Sequence, residues 1–167
     1  MGSKKDTHWT LIPASQRDIE AVRERCRQLV RRRAMISAGV SAVPIPGVDV
    51  VSDLHLFALL IDDINHAFGL TAQQIERLQP QFKLIAYEAA LGAGGMLVGK
   101  LVTREVLTQL LKRTGMKSLA RQAGKLVPVA GQLASAAIGF ALFRQFGYQH
   151  VEACAVVAQE LLTAGAN

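Results

Sequence analysis

Apolar residues along this chain recur three and four positions apart, and no stretch sustains a period-two alternation. That spacing predicts helices and no sheet, so the fold class read from the sequence is all-α. Ile19, Val22, Cys26, Leu29 and Val30 form the first stripe, on a helix opened by a Ser15–Asp18 capping pair and reaching about Ala42. The segment Ala42-Val43-Pro44-Ile45-Pro46-Gly47-Val48-Asp49 then ends one helix and starts another. Proline lacks a backbone donor and disfavours helix in the residue before it, while its fixed φ suits a first helical turn. Asp49 and Asp53 stand near the positive end of the second helix, and Gly69 is its expected left-handed cap after Phe68. Thr71 with Gln74 predicts a second capping box on a short helix stopping before Pro80. Further helices are expected over 81–102, 103–114 and 117–126.

A second restart, Lys125-Leu126-Val127-Pro128-Val129-Ala130-Gly131, leads into a last helix expected to reach about Thr163, with a kink at Gly147. Behind it, Gly131, Ser135 and Gly139 place small residues at every fourth position, and Gly95 with Gly99 repeat the spacing. Such stripes let helix backbones approach closely, in the manner of a glycine zipper. The expectation is a compact bundle of six to seven helices with Gly/Ala-lined contacts. Residues 1–13 read as a mobile polar lead, and residues 14–167 as a single domain.

Composition changes this picture little. Half of the 167 residues are apolar but only 5% are aromatic, so Ala, Leu, Val and Gly do the packing. Charge is informative by its placement. Residues 1–33 carry nine Lys/Arg against four Asp/Glu, whereas the rest of the chain is nearly balanced. Arg23, Arg27, Arg31, Arg32 and Arg33 put the basic character on the first helix, where it suits phosphate-bearing lipid headgroups. Nucleic acid is not expected as a partner, because the stretch offers only Gln28 to read bases. Glu20 with Arg23, and Glu24 with Arg27, are spaced to neutralise part of the face. No secretory signal is read at the N-terminus, and two distant cysteines make no disulfide framework.

No reaction is read from the residues. Gly94-Gly95-Met96-Leu97-Val98-Gly99-Lys100-Leu101 nearly matches a phosphate-binding loop, but Leu101 replaces the hydroxyl and a helix replaces the preceding strand. Asp49, Asp53 and His55, or Asp62, Asp63 and His66, offer at most two ligands on one face, too few for a metal. Cys26 and Cys154 sit among apolar residues, and His150 lies one turn from Cys154. Glu152 projects to another side of that helix and does not orient the imidazole. The expectation is no catalytic residue, metal or cofactor.

The 18 uncharged residues from Leu126 to Phe143 are marginal for a bilayer span of ~20 apolar residues, and Pro128, Gly131, Gln132 and Ser135 dilute them. A buried core helix is the favoured reading, and membrane insertion, or a hairpin made with residues 84–102, is the competing one.

Arg33-Ala34-x-Ile36, Val43-Pro44-Ile45-Pro46-Gly47-Val48-Asp49-x3-Asp53 and Phe68-Gly69-Leu70 resemble the helical region of immunity-related GTPases. They also resemble an uncharacterised GTPase-associated domain of bacterial inner-membrane proteins. The second restart, its small residues and the aromatic cluster from Phe140 to Phe146 extend the likeness over about residues 30–160. The resemblance implies a helical domain associated with membranes. The G domain of those families has no counterpart in this sequence, so a GTPase partner would be a separate chain. The resulting expectation is a non-enzymatic domain, cytoplasmic and at the inner membrane. A self-associating interaction module and a pore-forming effector are the alternatives.

Overall fold

The computed structural model describes residues 13–41, 49–94, 97–99, 109 and 128–165, with backbone alone for 38–41, 49–54, 128–139 and 142. Every regular element among them is helical: α1 (Gln16–Ser41), α2 (Asp49–Phe68), α3 (Ala72–Glu76), α4 (Pro80–Gly92) and α5 (Pro128–Gly165). The described part of the chain is all-α, as its periodicity predicts.

Local chemistry sets the helix ends. Ser15 accepts a hydrogen bond from the Asp18 amide at 3.2 Å, and its hydroxyl donates to the Asp18 carboxylate at 2.7 Å. At the end of α2, Gly69 takes φ 72°, a left-handed conformation open to a residue without Cβ. Its amide donates to the His66 carbonyl, and the Leu70 amide reaches back to the Asn65 carbonyl at 2.7 Å. This pair of bonds is the Schellman arrangement, which satisfies carbonyls a helix end otherwise leaves bare. Thr71 and Gln74 form the reciprocal capping box that opens α3. Pro80 stands at the start of α4, where a missing amide proton costs nothing.

One expectation about helix length needs correction. The helix expected over 81–102 stops at Gly92, because Gly94 turns to φ 68° and residues 97–99 form a turn. The final helix runs from Pro128 to Gly165. Within it Gly147 permits a close approach: a Cβ built there would meet Val30 Cγ1 at 2.7 Å. The restart residues Pro44, Pro46 and Gly47 and the helices expected over 103–114 and 117–126 lie outside the described residues, apart from Gln109. Asp49 and Pro128 are the first residues of α2 and α5. No helix among the described residues is long and apolar enough to cross a membrane.

The chain divides into two compact units. Unit 1 takes residues 1–27, 62–101 and 149–167, and unit 2 takes residues 28–61 and 102–148. In unit 1, Ile19, Ile64, Phe68, Leu70, Ile75, Val151 and Val157 are buried. Pro13, which the sequence assigns to the polar lead, is buried too. In unit 2, Val30, Ala34, Leu60, Ile61 and Phe143 are buried, and Phe57 meets Phe143 edge to face at 5.1 Å between centroids.

Candidate functional site

The described chemistry of unit 1 centres on three buried polar side chains. Asn65 on α2 has no solvent exposure, and His150 and Cys154 share one face of α5. Asn65 Nδ2 donates to the Leu97 carbonyl at 3.1 Å. A carbonyl only accepts, so the amide is oriented with Oδ1 towards His150 Nε2, 2.9 Å away. His150 is therefore the Nε2–H donor in this bond. Cys154 Sγ donates to the same Oδ1 at 3.6 Å and lies 3.6 Å from His150 Nε2. One amide oxygen thus gathers two donors while its nitrogen holds the 97–99 turn.

That turn is pinned twice, since the Gly99 amide donates to the Leu70 carbonyl at 3.1 Å. Gly99 has φ 66°, and an added Cβ would collide with Ile75 Cδ1. Gly99 is therefore a turn residue rather than part of a helix-contact stripe, which corrects the expected pairing of Gly95 with Gly99. Its amide is already spent on a carbonyl, so it does not face a phosphate. Gly95 lies outside the described residues, as do the surroundings of Gly131, Ser135 and Gly139, which are placed only as backbone of α5.

Burial sets the charge states at this cluster. Desolvation lowers the His150 pKa from 6.5 to about 4, which keeps the ring neutral. Desolvation also pushes the Cys154 thiol well above its ordinary value, with Cys26 adding to the rise. Cys26 is itself raised to about 11, by burial first. A thiol nucleophile needs a low pKa, and a base oriented by a third group through its other nitrogen. Here Asn65 Oδ1 and the thiol both face Nε2, and the thiol stays protonated. The arrangement ties α2, α5 and the 97–99 turn together. Only its Cys154–His150 half is legible as a helical spacing, because Asn65 is 85 residues from His150.

The arginines of α1 divide into two groups. Arg23 donates through Nε to Glu152 Oε1 at 3.1 Å and also pairs with Glu20 at 3.2 Å. Arg27 meets the same Glu152 oxygen at 3.3 Å. Glu152 raises the Arg23 pKa, chiefly through that hydrogen bond. The acid that the spacing places away from His150 is thus the anchor of two of the arginines expected to contact membrane. Arg33 is half-buried and engaged as well. Arg31 and Arg32 are exposed, and one turn on Met35 and Ile36 are 54% and 56% exposed. On α5, Arg144 lies 5.8 Å from the ring centres of both Phe140 and Tyr148, one turn to either side.

Of the acids and histidines weighed and set aside as metal ligands, Asp62, Asp63, His66 and His55 are exposed. The described residues contain no group of three or more His, Cys, Asp or Glu placed to hold an ion. The side chains of Asp49 and Asp53 lie outside the described set. Among the described residues of unit 1 are surface clefts, and two of them have volumes of about 500 Å³ each. One is apolar and includes Pro13, Leu78, Phe82 and Leu161, and the other runs between α4 and α5. Comparison with protein-family models, curated proteins and solved structures finds no match to this chain.

Proposed function

We propose that this chain is a non-enzymatic helical module that docks on anionic membrane surfaces through the exposed face of α1. The observation that carries the reading is the exposure of Arg31 and Arg32, which meet no acid among the described residues, beside the exposed Met35 and Ile36. A helix face that joins cations to exposed apolar side chains suits the headgroup boundary, where each basic residue adds ~1 kcal/mol. The resemblance to GTPase-associated helical domains supports the same role. It adds a GTPase on a separate chain as partner, the inner membrane as location and a bundle of six to seven helices as architecture.

Flotation tests the proposal. At low salt the protein is expected to rise with vesicles of phosphatidylcholine and phosphatidylglycerol, and to stay behind with phosphatidylcholine alone. Protein that remains at the bottom of the gradient with the anionic vesicles overturns the reading.

A further inference from the structure

The cleft between α4 and α5 has the inverse chemistry of the α1 face. Most of its lining is apolar or small: Ile85, Ala89, Gly92, Ala93 and Val156. Glu88 and Glu160 line it too, both exposed and neither paired with a base among the described residues. Val156 is 45% exposed, so apolar surface lies open there. Alanine and glycine in the lining allow another helix axis to come close.

We propose that the cleft receives a second copy of this chain. Met35 and Ile36 of one molecule seat on Val156 and Ile85 of the next, and Arg31 and Arg32 pair with Glu88 and Glu160. Charge complementarity selects this occupant. The α1 face offers two exposed cations next to two exposed apolar side chains, and the cleft offers two exposed carboxylates within a largely apolar lining, none of the four paired with an opposite charge among the described residues. The two surfaces differ, so the contact is heterologous and a pair of copies retains one free face and one free cleft. One helix face in one cleft falls short of a standard stable interface, so the association is weak, concentration-dependent and sensitive to salt. The inference does not rest on membrane docking, although the two uses of α1 exclude each other at a single molecule.

Sedimentation velocity without lipid tests the contact. At low salt the weight-average mass of the full chain is expected to rise with concentration and to fall when salt is added. Glu88→Arg with Glu160→Arg, and separately Arg31→Glu with Arg32→Glu, each raise the dissociation constant about tenfold or more. An equimolar mixture of the two reversed proteins recovers association, because each face again meets a cleft of opposite sign. Met35→Gln with Ile36→Gln weakens association at every salt concentration, which tests the apolar part independently. Circular dichroism checks that each variant keeps the helical content of the parent. A parent protein monomeric at all concentrations overturns the proposal, as does undiminished association of the reversed proteins or a mixture that stays monomeric.

Discussion

The two units differ in what their best-defined side chains meet. In unit 1 Asn65, His150 and Cys154 share one buried network, and Arg23 and Arg27 share Glu152. In unit 2 Val30 packs against Gly147 and Phe57 against Phe143, while Arg31 and Arg32 are exposed. Arg27 and Arg31 are one turn apart on one helix and belong to different chemistries. What separates them is whether another segment supplies an acid, which helix spacing cannot reveal. Buried polar groups are costly to leave unpaired, whereas an exposed arginine costs little and stays available.

The contrast breaks most visibly at Asn65. Asn65→Ala leaves the Leu97 carbonyl and the His150 ring N–H without their partner, at about 3 kcal/mol in total. Thermal unfolding should then fall by about 10 °C. A comparable effect follows from pH. The unfolded chain protonates His150 at its ordinary 6.5, but burial delays this to about 4 in the folded state. The contribution is therefore intact above pH 6.5 and is lost as the pH falls from 6.5 to 4, by about 3 kcal/mol in all. Urea titrations across that window should show the loss, and His150→Gln should flatten it relative to the parent.

The outward charges of unit 2 should behave differently. Arg31→Gln with Arg32→Gln is expected to weaken binding to anionic vesicles about thirtyfold. Folding stability should stay within about 0.5 kcal/mol of the parent. Equal losses of both quantities would erase the distinction between the units. Gly147→Ala forces a Cβ against Val30, and the clash exceeds the helical gain by about 1 kcal/mol. A double-mutant cycle with Val30→Ala should return a coupling of similar size. The smallest effect belongs to Arg23→Gln with Arg27→Gln. Their pairs with Glu152 are partly exposed, so stability should drop by less than ~1 kcal/mol and vesicle binding should barely change.

Several elements were legible because their causes are local. Phe68-Gly69 marked the end of α2, since a left-handed residue there favours glycine. Thr71 with Gln74 marked the start of α3, since both capping partners lie within one turn. The end of α4 was misplaced because Gly95 and Gly99 at four-residue spacing fit a helical stripe as well as a turn. Only Leu70 and Ile75, brought against Gly99 by the fold, decide for the turn. The candidate sites follow the same rule. The basic character of α1 was plain, but its division into tied and free arginines depends on Glu152, 125 residues beyond Arg27.

Hydrophobic spacing, proline and glycine thus determined by themselves that this chain is helical and where α1, α2 and α3 begin or end. Those signals act through hydrogen bonds and steric limits within a few residues. Tertiary structure alone decided that Asn65 completes a polar knot with His150, that Gly99 is a turn, and that Arg31 and Arg32 meet no acid among the described residues. Each of those depends on which distant group arrives within hydrogen-bonding reach, and packing sets that distance.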